Sequence, residues 1–163
     1  MIFSKASAAD IPAVARIYEA VKKGEYCVWS EDYPTAEHAA ADQTAGCLYV
    51  MRLDGKIIGC ASVEPIAEDD DLPFWRINDG SHREVSRIAI DPGYQGRGYA
   101  GNMVARLIEA LSEDGVTSVH LLAAKANSPA VRTYRALGFD FIGECYRYGH
   151  DYYVCEKILN MSK

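Results

Sequence analysis

The order of elements in this sequence is that of a mixed α/β domain, with a mostly antiparallel sheet that contains one parallel strand pair. Three observations predict it. Asp54-Gly55 joins two strand-like runs, Leu48–Leu53 and Lys56–Val63, and such a dipeptide is a strong signal for a two-residue hairpin. From Glu84 the pattern alternates: a strand-like Glu84–Ile90, a long helical stripe, then the continuous β run Val116–Leu122. That alternation implies a crossover helix between parallel strands. The last two strand-like segments, Phe139–Cys145 and Tyr152–Ile158, flank a turn at Gly149. Hairpins flanking a parallel pair make the sheet mixed.

The elements follow in order. Ile2–Ala6 reads as a short first strand. Asp10 then stands as an N-cap before Ile11 and Pro12, and Val14, Ile17, Tyr18 and Val21 recur at helical spacing up to Gly24. The aromatic segment Glu25–Tyr33 leads past Pro34 into a second helix, roughly Ala36–Gln43. After the hairpin, Glu68-Asp69-Asp70-Asp71 reads as a polar turn and Pro73–Gly80 as irregular chain. Val85, Ile88 and Ile90 are the apolar positions of the next strand. The long helix carries Met103, Val104, Leu107, Ile108 and Leu111 on one stripe and stops at Gly115. Ser128 is expected to cap the following helix, with Pro129 at its first position and Gly138 at its end. The whole order is β-α-α-β-β-β-α-β-α-β-β, read as one domain over residues 1–163.

Composition narrows the function classes. The chain has 163 residues, 49% hydrophobic and 25% charged, which is globular and long enough for a real core. No apolar run approaches the ~20 residues that span a bilayer. The first residues lack the basic flank and apolar stretch of a signal peptide. We therefore expect a cytoplasmic protein without membrane association. A net charge of −6 makes nucleic acid a poor partner, since such binding needs basic surface. Five cysteines, none at C-x-x-C spacing, argue against a disulfide framework or a zinc site. No metal is expected.

The feature that points to chemistry is Gln95-Gly96-Arg97-Gly98-Tyr99-Ala100-Gly101, between a strand ending near Ile90 and a helix starting near Arg97. A helix start exposes backbone N–H groups without intrahelical partners, and their dipole favours anions. Glycines let several such groups converge on one anion. Larger side chains at Gly96, Gly98 or Ala100 would crowd a pyrophosphate, and Arg97 offers a charge-assisted contact. The turn has no G-K-[ST], so it is not a nucleotide P-loop. It is not G-x-G-x-x-G either, which argues against a dinucleotide fold.

Gln95-x-x-Gly98-x-Ala100 resembles the acetyl-CoA pyrophosphate loop of the GNAT superfamily of N-acetyltransferases, and Val85–Pro92 resembles the strand that leads into it. A second block, Asn127-x-x-Ala130-x-x-x-Tyr134-x-x-x-Gly138-Phe139, resembles the family's other signature. The resemblance implies the family's fold, with a central parallel pair that splays apart and holds the pantetheine arm of acetyl-CoA like an added strand. It implies that Ile88, Ala89 and Ile90 offer backbone groups to the pantetheine and the acetyl carbonyl. A backbone N–H near Ile88 or Ala89 would polarise the thioester. Gln95, Gly96, Arg97, Gly98, Tyr99, Ala100 and Gly101 would hold the pyrophosphate, and Asn127 and Ala130 the CoA arm. Tyr134 would protonate the leaving thiolate.

Glu84 is the residue we assign as general base for the incoming amine, directly or through water. The competing reading makes it a solvated charge at a strand end. His82 and His120 are lesser candidates. The expected mechanism is direct transfer through a tetrahedral intermediate. An acyl-cysteine route through Cys145 or Cys155 lacks an evident base in the sequence. The acceptor is expected to be a small-molecule or peptide amine. Trp29, Tyr33, Phe74, Trp75, Tyr146, Tyr148, Tyr152 and Tyr153 are candidates to line its site, and Asp69–Asp71 to attract a cation. The alternative of another class is a non-catalytic domain that senses acyl-CoA. The resemblance extends to a homodimer, since many members pair through their late strands.

Overall fold

Why the chain turns back at Asp54 and Gly55 is a matter of backbone sign: both residues have positive φ, 51° and 81°. A turn of that hand matches the twist of the strands it joins. These strands are β2 (Leu48–Leu53) and β3 (Lys56–Glu64), paired antiparallel with a bulge at Met51/Arg52. The computed structural model describes residues 1–159, and it divides into two compact units.

The first unit comprises residues 1–63 and 87–103. Strand β1 (Ile2–Lys5) lies antiparallel to β2, with Ile2 opposite Arg52. Helix α1 (Ile11–Val21) enters at Pro12. The Asp10 carboxylate turns back rather than forward: it accepts from the Ser7 N–H at 2.8 Å and pairs with Arg52. Helix α2 spans Ala36–Thr44. Val14, Ile17 and Tyr18 of α1 and Ala39 of α2 are buried with Leu48, Val50, Cys60 and Ala89 in one core. Each large apolar side chain so buried contributes roughly 1.5–3 kcal/mol. Strand β4 (His82–Ile90) begins two residues earlier than its apolar pattern suggests. Its second half belongs to this unit and adjoins β3, where the Asp91 N–H donates to the Ile58 carbonyl at 2.7 Å. The helix after it, α3 (Tyr99–Glu113), starts in this unit.

The second unit comprises residues 64–86 and those from 104 onward. The first half of β4 runs parallel to β5 (Ser118–Ala124), with His82, Arg83 and Glu84 opposite Ser118, Val119 and His120. Among the described residues the parallel ladder comprises these pairs, while β4 itself continues to Ile90. Strand β5 is buried along most of its length, as its continuous apolar run implies. On its other side it pairs antiparallel with β7 (His150–Ile158), which pairs with β6 (Asp140–Arg147). The β6–β7 turn is Tyr148-Gly149, again with positive φ at both residues, 55° and 81°. Met103, Val104, Leu107 and Leu111 are the buried stripe of α3. Helix α4 (Ser128–Ala136) is capped by Asn127, not by Ser128: the Asn127 Oδ1 accepts the Ala130 N–H at 3.3 Å. The strands are thus mostly antiparallel with one parallel pair, and the element order is the one read from the sequence. Among the described residues no helix is long and apolar enough to cross a membrane.

Candidate functional site

The glycine turn lies at the end of β4, in the first unit. Asp91 caps a short 3-10 turn by accepting the Gly93 N–H at 2.9 Å. The Gln95 side chain is engaged by the protein itself: its Nε2 donates to the Ile90 carbonyl at 3.0 Å and ties the turn to the strand end. Gly96 and Gly98 have φ of 77° and 81°, a region open to glycine at no steric cost. A Cβ built at either meets nothing within 4 Å, so the space before these residues is open. The helix starts at Tyr99 rather than Arg97. The first α-helical bond into the turn is Asn102 N–H to Gly98 carbonyl, 3.1 Å, and the amides before it have no intrahelical acceptor. Gln95 to Gly98 are exposed, and Tyr99, Ala100 and Gly101 half-buried. The Arg97 guanidinium sits over the Tyr94 ring, 5.7 Å from its centroid, beside an exposed face. The charge and the open amides together suit an anion with several oxygens.

The strand leading to the turn is distorted at one residue. Arg87 has φ of 48°, uncommon for a non-glycine residue. Its guanidinium grips Asp42 of α2 with two bonds, 2.9 and 3.0 Å, and donates to the Tyr33 hydroxyl at 2.9 Å. The same Asp42 accepts the Ser62 hydroxyl at 2.6 Å. After Arg87, Ile88 is half-buried and Ala89 and Ile90 are buried.

Glu84 and Tyr134 lie in the second unit. Glu84 is only 4% exposed, so it is not a solvated strand-end charge. No N–H or O–H of the protein donates to its Oε1. Burial, then the carboxylates of Asp69, Glu64 and Asp70, push its pKa up to about 10. Tyr134 is buried on α4, edge-on to Phe139 at 5.9 Å. Burial pushes its hydroxyl upward, and Cys155 nearby adds to the shift. Asn127 and Ala130, joined by the capping bond, are both half-buried at the start of that helix.

Around Glu84 the segment between β3 and β4 builds a polar frame that the sequence disguises. Glu68–Asp71 forms a 3-10 turn in which Asp69 is buried. The Arg147 guanidinium donates to Asp69 at 3.0 Å and to Asp71 at 2.8 Å. The Tyr148 hydroxyl reaches Asp69 at 3.0 Å and Glu68 at 3.2 Å. Trp75 donates its indole N–H to the Asp69 carbonyl and stacks on His120 at 3.8 Å. The Gly80 N–H faces His82 Nδ1 at 3.3 Å, which leaves Nε2–H to donate to Asp70 at 3.1 Å. The His120 Nε2 donates to the Ile77 carbonyl at 2.8 Å, and its Nδ1 is buried without a partner. Burial, with His82 beside it, holds His120 below the usual imidazole range. Asp70, His82 and His120 bring ligand-type atoms within 4.8 Å of one another. The Nε2–H groups of both histidines are already spent on Asp70 and Ile77, so the arrangement is that of a hydrogen-bonded frame. Below it, Glu156 is fully buried and accepts from Arg76 N, Ile77 N and the Ser118 hydroxyl at 2.8, 3.1 and 2.7 Å.

The aromatic residues expected to line an acceptor site divide. Trp29 packs edge-on against Tyr18, Phe74 fills the space that a side chain at Gly143 would need, and Trp75 covers His120. Tyr146 and Tyr148 are exposed. Both Cys145 and Cys155 are held above the usual thiol range by burial, Cys155 at about 12. Asp69, Arg147 and Asp42 carry most of the geometry around Glu84 and Arg87. The sequence shows them only as members of an acidic run, a strand end and a weakly amphipathic helix.

Comparison with known proteins places this geometry. Residues 14–139 match the model of the acetyltransferase (GNAT) family. The mycothiol acetyltransferase of Brachybacterium faecium is 40% identical over 60 residues, 37% of this chain and 18% of that protein. The match therefore spans less than a fifth of that relative. The ribosomal-protein-S18-alanine N-acetyltransferase of Escherichia coli superposes with a TM-score of 0.76 at 19% identity, over 99% of this chain and 96% of that one. The PaiA N-acetyltransferase of Thermoplasma acidophilum, solved in complex with coenzyme A, gives 0.74 at 17% identity over 97% and 98%. With its model matched across residues 14–139, the acetyltransferase (GNAT) family is the one to which this protein belongs.

Proposed function

We propose that this protein transfers an acetyl group from acetyl-CoA to the amine of a small molecule or peptide. The observation that carries the reading is strand β4. It bears a buried carboxyl at Glu84 and ends in a turn where a Cβ at Gly96 or Gly98 would meet open space. Glycines at these positions keep that side of the turn free of side chains, as a diphosphate cradle requires. Coenzyme A bound to the Thermoplasma relative supports the same assignment by likeness of fold.

Acetyl-CoA supplies an acyl group activated as a thioester. In this reading the amides from Gly96 to Gly101 bind its diphosphate, with Arg97 adding charge. Gln95 acts one step back, by fixing the turn to Ile90. Backbone groups of Ile88, Ala89 and Ile90 orient the acyl arm, and an N–H there polarises the carbonyl. Asn127 and Ala130 hold the arm from the start of α4, and Tyr134 returns a proton to the departing sulfur. Glu84, in its ionised form, takes the proton of the amine. Transfer is direct, because the shifted thiols of Cys145 and Cys155 keep too little thiolate to act as nucleophiles.

The test is release of free thiol from acetyl-CoA over a panel of amines, with melting temperature as a second readout. Acetyl-CoA should raise the melting point and ATP should not. A protein stabilised by acetyl-CoA that releases no thiol with any amine is a sensor rather than an enzyme.

A further inference from the structure

Among the described residues, three that are not glycine have positive φ: Asp54, Arg87 and Tyr148. Asp54 and Tyr148 each precede a glycine in a two-residue hairpin turn, where the turn itself demands that conformation. Arg87 stands inside strand β4, where no turn demands it. A left-handed residue other than glycine persists only where its surroundings over-determine it, and such residues cluster at functional sites. We infer that Asp42, on α2, is a positioning residue: through Arg87 it fixes the backbone that aims the next β4 amide at the thioester carbonyl. The inference rests on the transferase reading for its ligand, and on the first unit alone for its geometry.

The lock is built outward from the helix. Asp42 lies in the last turn of α2, where the helix dipole disfavours a carboxylate, so its placement needs a partner from elsewhere in the fold. Its backbone is pinned by the helix end. The Cys47 N–H donates to the Asp42 carbonyl at 2.8 Å and the Gly46 N–H to the Gln43 carbonyl at 3.0 Å, around Gly46 at φ 72°. That pair of bonds closes a helix on a left-handed glycine. Its carboxylate is pinned from β3 by the hydroxyl of Ser62, which is fully buried. The Arg87 guanidinium meets it with Nε on one oxygen and Nη2 on the other, which fixes the guanidinium plane as well as its distance. The third point is Tyr33, whose hydroxyl accepts from Nη1 and whose ring meets that of His38 on α2 edge-on at 4.9 Å. Only 9% of the Arg87 side chain and 15% of that of Asp42 are exposed, so water competes weakly for the pair. An ion pair that merely tied α2 to the sheet could be made from a residue of ordinary backbone. Here the donors of one guanidinium hold an unfavourable one.

The consequence lies in the peptide that follows. A left-handed residue within a strand disrupts the ladder locally and turns the next peptide out of it. The parallel ladder of β4 ends before this point, at Glu84. The peptide after Arg87 carries the N–H of Ile88, which is half-buried, while Ala89 and Ile90 continue into the core. A donor stabilises charge developing on a carbonyl oxygen best when it is aimed before the reaction starts. Asp42 touches neither substrate nor reacting atom, and it sets that aim at second hand. Loss of its charge therefore acts on the polarisation of a bound thioester and not on the grip of the diphosphate, which lies further along the chain at Gly96 to Gly101.

Acetyl-CoA isotopically labelled at the thioester carbonyl reads the aim with no acceptor known. Its infrared carbonyl stretch should fall on binding to the wild type. In Asp42→Asn, which keeps the shape and loses the charge, most of that fall should disappear, with acetyl-CoA affinity by calorimetry within about twofold of the wild type. The double variant, Arg87→Gly with Asp42→Asn, removes both partners and gives the strand a residue that takes positive φ at no steric cost. It should recover most of what Asp42→Asn loses. In the ligand-free protein, the NMR shift of the Arg87 Cα should move from left-handed toward extended values in Asp42→Asn, with a melting transition to show that the variant is folded. A folded Asp42→Asn with the wild-type stretch, or with the Arg87 Cα unmoved, overturns the positioning role and leaves the transferase reading intact. So does a double variant no better than Asp42→Asn. A wild type that binds acetyl-CoA without any change in the stretch overturns it too, since no polarised carbonyl is left to serve. Failure of the transferase reading shows separately, as a wild type that neither binds acetyl-CoA nor releases thiol, and it takes this inference with it.

Discussion

The glycine turn and the polar frame around Glu84 are built in opposite ways. In the turn the protein contributes backbone: two glycines at positive φ, each with open space on its Cβ side, and the amides of a helix start. Around Glu84 it contributes side chains, each fixed by another: Arg147 and Tyr148 on Asp69, His82 on Asp70, Trp75 on His120. A backbone site is specified by few residues of one type in a fixed order. A side-chain site is specified by residues far apart in sequence. The first is therefore robust to surface change and intolerant of backbone change, and the second the reverse.

The largest expected effect falls on the side-chain site. Glu84→Gln should lower turnover by ~10³-fold, within the range of a lost general base, while leaving acetyl-CoA affinity unchanged; steady-state kinetics with calorimetric titration would check both. Gly98→Glu should weaken acetyl-CoA binding by ~100-fold, about 2.7 kcal/mol, through like charge and backbone strain together. Gly98→Ala isolates the strain, and equal losses in the two would mean that no anion sits there. Tyr134→Phe should lower turnover ~10-fold with affinity retained, as for a helpful but replaceable acid. Arg87→Ala strips Asp42 of a bidentate partner in a mostly buried setting and should cost ~3 kcal/mol, read as a lower midpoint in urea.

The smallest effect is one of pH on stability. Folding raises the Glu84 pKa from 4.5 to about 10, so the folded state binds a proton that the unfolded state has lost. Stability must then fall as pH rises from 4.5 toward 10. Glu84→Gln should remove that slope and raise the melting temperature at pH 8 by a few degrees relative to the wild type. His120 is shifted the other way: its folded pKa lies below 6.5, so its share of stability is present above pH 6.5 and is lost on acidification. Melting curves across pH, with Glu84→Gln beside the wild type, separate the two.

The contrast also explains what could be read in advance. Period, hairpin signals and glycine spacing are local, so the element order and the turn were legible in the residues themselves. Asp54-Gly55 set one hairpin and the 95–101 run set the turn. Boundaries moved where local signals compete: Asn127 out-competes Ser128 as the cap because its side chain reaches the Ala130 N–H, and β5 starts two residues later than its apolar run. The burial of Asp69 was not legible. Four acidic residues in a row read as a solvated turn, and nothing nearby reveals that Arg147 and Tyr148 arrive to cover one of them. Nor does the sequence show that Arg87 adopts a left-handed backbone to face Asp42.

Arg147 and Tyr148 owe their position to a two-residue reversal, Tyr148-Gly149, that admits no slack. One inserted residue there would change the register of both strands' tips and carry the guanidinium and the phenol off Asp69, while leaving every residue of the glycine turn untouched. Homologous chains that differ in the length of this reversal should therefore differ in how Asp69 is held, while the glycine turn stays as it is.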